Sequence, residues 1–237
     1  MTMIYCTGDI HGNYRELLDT LETKKIPHNS EQLVILLGDV GANYYGDGRD
    51  SRLKKRLQES GRVYFCIHGN HERRPESLDT YHEVNWNGGT VYVESDYPNI
   101  LFAKDGEVYD LKGIKTLVLG GAYSVDKWYR LESGCHWFAD EQISEQRRTE
   151  ILEQIKQLGH VDLVLSHTCP FEWQPTDLFI DGLDQSTVDK SMELWLSDVE
   201  RNLDYKMWLF GHFHDDRKIN SKVRMLFKLV IKLEEFK

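Results

Sequence analysis

The chain has 237 residues and a formal net charge of −10, with 40% hydrophobic and 29% charged residues. This length suffices for one sizeable hydrophobic core, and the composition is that of an ordinary globular protein. No apolar stretch reaches the ~20 residues needed to cross a bilayer, which disfavours a membrane partner. The negative charge disfavours extended binding along a nucleic-acid backbone.

The chain shows no linker-like composition and no internal repeat, so we predict a single domain over residues 1–237. The N-terminal sequence MTMIYCTGDI lacks a basic region followed by a long apolar stretch, and it is typical of a first strand rather than a secretion signal. The four cysteines have no CxxC spacing, which favours free thiols in a reducing compartment. We therefore expect a cytoplasmic protein.

Short apolar runs alternate with amphipathic segments along the chain. Runs at 4–6, 33–37, 63–67, 163–165 and 207–210 predict buried strands, because they are bounded by turn residues and rich in β-branched and aromatic types. Helical apolar spacing predicts helices over 14–23, 51–60, 147–158 and 188–201. Further runs at 90–93, 100–103, 108–111 and 116–119 predict consecutive strands of a second sheet, and 223–233 predicts closing strands. The pattern indicates an α/β fold.

Metal-capable side chains follow the five buried strands, where ligands bind in open α/β sheets. Asp9 and His11 are two residues apart, as are His212 and His214. In extended backbone each pair would project into one pocket, while the residue between them points to the core. Glycine immediately precedes four of the clusters, at positions 8, 38, 69 and 211, and would permit close approach of the loops.

The candidate ligands combine carboxylate, amide and imidazole groups: Asp9, His11, Asp39, Asn70, His167, His212 and His214. This mixture suits Mn, Fe or Zn better than an all-oxygen calcium site. Seven ligands exceed what one tetrahedral zinc uses. Two metals about 3.5–4 Å apart, bridged by a carboxylate, would accommodate them and would activate water for attack on a phosphate ester.

The five sequences GDIHG, GDVG, GNHE, SHTCP and GHFH, in this order, resemble the motifs of the calcineurin-like metallophosphoesterases. They extend from Gly8 to His214, nearly the whole chain. The resemblance implies a four-layer α/β/β/α sandwich of two mixed sheets flanked by helices, with the metal site at the carboxyl ends of strands. It also implies phosphate-ester hydrolysis by a metal-bridging hydroxide, without a covalent phosphoenzyme.

Transferred residue by residue, the resemblance implies two divalent metal ions, expected to be Mn, with Fe, Zn, Ni or Co as alternatives. Asp9, His11 and His214 would hold one metal and Asp39 would bridge. The other metal would be held by Asn70, His167 and His212. His71 matches the non-ligand histidine that protonates the leaving-group oxygen or stabilises the phosphoryl transition state.

Two departures from the phosphoprotein phosphatase branch bear on the substrate. That branch continues its second motif as GDxVDRG and has an arginine before GNHE, whereas this chain has GDVGANYYG and His68. We therefore expect a phosphorylated small molecule or nucleotide as substrate, presented as a phosphomonoester, a phosphodiester or both. Protein serine/threonine phosphatase activity is the alternative, and a non-catalytic scaffold on the same fold is a third hypothesis. The sequence has no signal for a protein partner.

Four residues are candidate substrate contacts: His68, Arg73, Lys127 and Arg130. Residues 120–130 combine cations with Trp128 and Tyr129, which predicts a substrate-facing rim. Two other interpretations stay open. The two aromatic rings would instead fill the core, and His68 would instead bond to backbone at a strand end.

Overall fold

The computed structural model of the chain describes residues 3–179, 181–182 and 184–233. Within these residues the helices are α1 Tyr14–Thr23, α2 Gly48–Glu59, α3 Lys127–Ser133, α4 Glu145–Leu158 and α5 Ser191–Asn202. The strands are β1 Met3–Thr7, β2 Gln32–Leu36, β3 Val63–Cys66, β4 Tyr81–Trp86, β5 Gly89–Glu94, β6 Ile100–Ala103, β7 Val108–Asp110, β8 Lys115–Leu119, β9 His160–Ser166, β10 Asp204–Phe210, β11 Arg217–Lys218, β12 Val223–Met225 and β13 Ile231–Lys232.

The strands form two mixed sheets. The first has the order β13-β1-β2-β3-β6-β5-β4, and the second has the order β11-β12-β10-β9-β8-β7. In each sheet the central strands are parallel, β1-β2-β3-β6 in one and β8-β9-β10-β12 in the other, and the outer strands are antiparallel. The parallel arrangement brings the carboxyl ends of the central strands to the same end of the molecule.

Three apolar layers separate the sheets and helices. Residues from both sheets, among them Ile35 and Leu165, form the layer between the sheets. Leu21 and Leu57 of α1 and α2 pack on the outer face of the first sheet. Ile151 of α4, with residues of α5, packs on the outer face of the second. These layers confirm the predicted four-layer α/β/β/α sandwich. The central strands are buried on both faces and are therefore apolar throughout.

The helices agree with the predicted spacing, with small shifts at their ends. The predicted helix over 14–23 is α1, and α2, α4 and α5 begin within three residues of their predicted starts. Side chains of Asn13, Asp47 and Ser144 accept hydrogen bonds from the first-turn amides of α1, α2 and α4. These caps explain the starts of α2 and α4, which lie upstream of the apolar pattern. Helix α3 and strand β4 were missed, because neither buries a continuous apolar face.

The prediction that four consecutive strands share the second sheet was wrong for two of them. Strands β5 and β6 belong to the first sheet, where β6 pairs in parallel with β3, and only β7 and β8 join the second. Both sheets bury both faces, so an apolar run does not indicate which sheet receives it. The predicted closing strands are present as β12 and β13. None of the described helices has the length and apolarity to span a membrane.

The loops after the strands lie so close together that a side chain has no room at certain glycines. A Cβ at Gly38 would overlap the imidazole of His167, and one at Gly211 would overlap the carboxylate of Asp9. Gly38 also has a φ of +101°, where a side chain is strained. The expectation of close approach at these glycines is confirmed. Each of these two contacts joins a loop of one sheet to a loop of the other.

We expect Gly38→Ala to cost more stability than Gly88→Ala. Gly88 has a φ of +89°, similar to that of Gly38, but a Cβ there would meet no atom within 4 Å. The control should therefore lose only the ~1–2 kcal/mol of left-handed strain. The overlap with His167 should bring the loss at Gly38 to ~2–5 kcal/mol. Urea unfolding of metal-free protein measures both, and equal losses would contradict a close contact between Gly38 and His167.

Candidate metal centre

The predicted metal ligands converge from loops after five strands of both sheets. Asp9 and His11 follow β1, Asp39 follows β2, and Asn70 follows β3. The second sheet contributes residues after β9 and β10, namely His167, His212 and His214. All seven side chains lie in one continuous group, although the first and last are about two hundred positions apart in sequence.

Several of these residues have a left-handed backbone. Positive φ is found at His11 (+44°), Asp39 (+46°), His212 (+69°) and His214 (+54°). Such values are uncommon for residues with a side chain, cost free energy, and concentrate at functional sites. The prediction that extended backbone aims the Asp9/His11 and His212/His214 pairs was therefore wrong. The pairs do reach one site, but tight turns place them there.

One group of donors consists of Asp9, His11 and His214. The Nε2 atoms of the two histidines are 2.8 Å apart. Asp9 Oδ2 is 3.4 Å from His214 Nε2 and 3.9 Å from His11 Nε2. The ring of His214 also stacks on Phe227, with centroids 4.8 Å apart. Three donor atoms thus face a common centre.

A second group consists of Asn70, His167 and His212. Asn70 Oδ1 is 2.9 Å from His167 Nε2 and 3.1 Å from His212 Nδ1. Asp39 lies between the two groups, with Oδ1 3.5 Å from His167 Nε2 and Oδ2 3.8 Å from His11 Nε2. The two oxygens of one carboxylate therefore face different groups.

Neighbouring groups hold these donors in orientation. His167 Nδ1 donates to the carbonyl of Leu37 at 2.7 Å, which leaves Nε2 to face Asn70. Asn70 Nδ2 donates to Ser124 Oγ at 2.9 Å, and Ser124 Oγ donates to Glu141 Oε2 at 2.6 Å. This chain of hydrogen bonds turns the amide oxygen of Asn70 inward. Such outer hydrogen bonds commonly fix the ligands of metal sites.

The electrostatics of the centre favour a cation. Asp39 is 1% exposed, and although burial opposes it, the nearby histidines lower the pKa of its carboxyl well below the usual value. Burial likewise opposes protonation of His167, but the Asp39 carboxylate raises the pKa of that imidazole to about 9. A proton on His167 thus balances buried negative charge. With mixed nitrogen and oxygen donors around it, the same position fits a divalent metal ion.

His71 lies beside this centre and is tied to it by its backbone. Its amide donates to Asp39 Oδ1 at 2.8 Å, and its ring packs edge-on to His11. Arg130 Nη2 is 2.6 Å from His71 Nδ1. Burial lowers the pKa of His71 to about 4, the Asp39 carboxylate opposes this shift, and the Arg130 guanidinium adds to it.

Of the four predicted substrate contacts, Arg130 is the one that reaches the histidine beside the metal ligands. Its Nε pairs with Asp126 at 2.7 Å, and its Nη1 donates to the carbonyl of His136 at 3.0 Å. His68 is 2% exposed and its Nε2 donates to the Glu72 carbonyl at 3.1 Å, which corresponds to the backbone-bonded interpretation. Arg73 lies over the Phe138 ring.

The segment 120–130 forms one side of a cleft beside the centre. Lys127 lies 4.1 Å from the centroid of Trp137, outside the cleft lining. Trp128 and Tyr129 are 62% and 68% exposed, so they do not fill the core. The cleft itself has a volume of about 280 Å³ and is bordered by Asp39, Asn70 and His71.

Another wall of the cleft is formed by residues within 174–179 and 185–193. It includes Leu178, Val188 and Glu193, while Tyr123 and Val125 line the near side. Glu193 is 4% exposed, and burial raises the pKa of its carboxyl to about 7. Sequence reasoning missed this wall, as it missed Ser124 and Glu141. For Ser124 and Glu141 the available signal was that Ser124 is a small polar residue in the loop after β8.

The fold and this centre define a class of metal-dependent phosphoesterases. The profile of the calcineurin-like phosphoesterases matches residues 2–216. The chain belongs to that family, which confirms the resemblance seen in its motifs. A search of curated proteins finds no match.

Solved structures support the fold. One has a TM-score of 0.52 at 13% identity, covering 95% of this chain and 89% of its own. Protein TT1561 of Thermus thermophilus has a TM-score of 0.50 at 12% identity, covering 98% and 97%. A protein serine/threonine phosphatase from Saccharomyces cerevisiae, with similarity to human phosphatase PP5, has a TM-score of 0.36 at 14% identity, covering 95% and 67%. The last similarity is too low to bear on function.

We expect metal binding to tighten with rising pH and to release about one proton per chain near neutrality. His167, protonated below its pKa of about 9, must lose its proton before Nε2 can bind a metal. Below that pKa the apparent affinity for Mn²⁺ should rise ~tenfold per pH unit. Calorimetric titration of chelator-treated protein in buffers of different ionisation enthalpy counts the protons.

His160→Gln is the matched control for this titration, since it removes an exposed imidazole that lies on β9 but outside the centre. It should leave both the proton count and the pH slope unchanged. A pH-independent affinity without proton release would contradict the expected role of His167.

Proposed function

We propose that this protein hydrolyses phosphate esters of small molecules or nucleotides at a dinuclear metal centre. The observation that carries the proposal is the position of Asp39, whose oxygens face two separate groups of nitrogen and oxygen donors. One divalent ion in each group would share this carboxylate as a bridge. When bound, such a metal pair supplies hydroxide at neutral pH and neutralises phosphoryl charge.

The distances between donor atoms assign the ligands to two groups, one for each ion. Asp9, His11 and His214 would hold one ion, and Asp39 would bridge. Asn70, His167 and His212 would hold the other ion. We propose Mn as the metal, because this mixture of carboxylate, amide and imidazole suits Mn, with Fe, Zn, Ni or Co as alternatives.

His71 and Arg130 act on the ester. His71 is held to the bridging carboxylate through its amide, so its imidazole would have a defined position beside the leaving-group oxygen, to which its N–H would donate a hydrogen bond. Arg130 is anchored at Nε and Nη1 and directs Nη2 to the same place, where it can donate to a phosphoryl oxygen. In this proposal Arg130 compensates for the arginine that the phosphoprotein phosphatase branch has before GNHE and that this chain lacks.

The cleft favours a small substrate over a phosphoprotein. Its volume of about 280 Å³ suits part of a drug-sized or nucleotide-sized molecule. Both phosphomonoesters and phosphodiesters fit the proposal. All four cysteines, Cys6, Cys66, Cys135 and Cys169, are free, which favours a reducing setting such as the cytoplasm.

We expect Asp39→Asn to abolish turnover and metal retention together. The substitution removes the negative charge that both ions would share, so loss of both should follow from a single change. Hydrolysis of p-nitrophenyl phosphate and of its bis ester is measured with Mn²⁺, while bound metal is counted in the same samples. Asp19→Asn, on the exposed face of α1, is the control and should keep both properties.

Two outcomes would decide against this proposal. Wild-type protein that binds no metal and is as inactive as the variant would support a non-catalytic scaffold. Wild-type protein that hydrolyses phosphoserine peptides far better than either nitrophenyl ester would support a protein serine/threonine phosphatase.

We expect Arg130→Ala to lower kcat/KM for both esters by ~10–100-fold, since charge-assisted hydrogen bonds to phosphate are strong and stabilise developing charge. Bound metal should stay the same, because Arg130 contacts His71 and none of the ligands. Arg130→Lys should recover only part of the activity, since lysine cannot keep all three contacts. Arg147→Ala, which removes a half-buried arginine of α4, is the control, and an equal loss there would refute a specific role.

A further inference from the structure

A second depression adjoins the centre at His11. It has a volume of about 330 Å³ and is lined by His11, Asn13, Arg15, Tyr45, Arg49 and Arg52 among others. His11 belongs to this depression and His214 to the cleft, and their Nε2 atoms are 2.8 Å apart. The depression and the cleft therefore meet across the metal centre.

The depression carries positive charge that is only partly paired with acidic groups among the described residues. Arg49 is paired with Asp47 and lies 3.4 Å from the centroid of Tyr45. Arg15 and Arg52 have no ion pair with any residue that the structure describes. Two arginines without acidic partners stand out in a chain with a net charge of −10.

Two of the nearby acids are engaged elsewhere. Glu16 pairs with Lys228 at 2.6 Å. Asp50 is buried and accepts hydrogen bonds from the amides of Tyr45 and Gly46. The charge of Arg15 and Arg52 is thus available to a bound anion.

The cleft has the opposite character. Its lining contains the acids Asp126, Asp189 and Glu193 and, among the residues described, no lysine or arginine. Asp126 is neutralised by Arg130, but Glu193 accepts its one side-chain hydrogen bond from Thr168. Leu178, Val188 and other apolar groups complete the wall. The described lining of the cleft thus offers no lysine or arginine to pair with a second anionic group, whereas an uncharged group needs no such partner.

We propose that the depression is a subsite for a second anionic group of the substrate, and that the substrate is a phosphodiester whose retained alcohol carries a phosphate or carboxylate. This inference rests on the proposed function, because His71 borders the cleft and so places the leaving alcohol there. The other ester substituent then extends past His11 towards Arg15 and Arg52.

The reaction consumes one water per ester. Hydroxide oxygen forms a bond to phosphorus, and the bond from phosphorus to the alcohol in the cleft breaks. The departing oxygen keeps the electron pair and takes a proton. The products are an uncharged alcohol and a phosphomonoester that retains the second anionic group.

A matched pair of esters tests the subsite. Thymidine 5′-(p-nitrophenyl phosphate) and its 3′-phosphorylated form share the leaving group and differ only in one phosphate on the retained side. With Mn²⁺, wild-type protein should show kcat/KM about tenfold higher for the 3′-phosphorylated ester, since two arginines can donate to its additional phosphate. In Arg15→Ala/Arg52→Ala that ratio should fall towards one, and in wild-type protein it should fall with added salt because exposed charges are screened.

Arg56→Ala is the control, as it removes an arginine from the same helix as Arg52 that pairs with Glu59 and lies outside the depression. It should leave the ratio unchanged. A ratio near one in wild-type protein, or a ratio that the double variant leaves unchanged, would overturn the subsite while phosphodiesterase activity stands.

Binding of the products separates this inference from the activity itself. Calorimetry compares thymidine 3′,5′-bisphosphate with thymidine 5′-monophosphate in the same proteins, without any turnover. If neither ester is hydrolysed but wild-type protein prefers the bisphosphate about tenfold and the double variant does not, the subsite stands and the proposed function has failed. Equal affinity of wild-type protein for the two products overturns the subsite whatever the activity.

Discussion

Asp39 is a carboxylate buried between the ends of two sheets, and its two oxygens face histidines from both. Burying such a charge is costly unless it is paired, and here the neighbouring loops contribute to that pairing. The backbone amide of His71 donates to this carboxylate, and the rings of His11 and His167 lie beside it. Glycine at position 38 leaves space for the ring of His167. The left-handed backbone at Asp39 adds a further free-energy cost to that of burying its charge. The fold holds this carboxylate in an unfavourable buried position, and a bound cation would offset the cost.

Much of this arrangement could be predicted from the sequence, because apolar runs ending in Asp, Asn or His indicate strands that deliver ligands to one end of a sheet. The order of five such clusters indicated the family and the four layers. The predicted backbone conformation of the ligand pairs was wrong. The spacing of Asp9 and His11 suggested extended geometry, whereas His11 has a φ of +44°. The structure does bring these side chains together, but with a different local conformation, since many backbone paths bring two nearby side chains to one point.

What the sequence could not supply were relations between distant segments. Nothing in the run at 90–93 distinguishes the first sheet from the second, because both sheets bury both faces. Ser124 and Glu141 are ordinary polar residues until the fold places them behind Asn70. Arg130 was one of four candidates, and only the docking of α3 brings it to His71. Such contacts depend on tertiary packing, which residue type and spacing do not encode locally.

The spread of the ligands along the chain has a consequence for how the centre arises during synthesis. Asp9 leaves the ribosome well before its neighbour His214, which lies about two hundred positions later in the chain. A nascent chain therefore has separate donors but no complete pair of sites until both sheets have docked. Because the ions would join loops of both sheets, they would act as cross-links whose loss loosens the whole molecule at once. The complete metal centre would then form only after both sheets have docked, so full metal binding would require a correctly assembled fold.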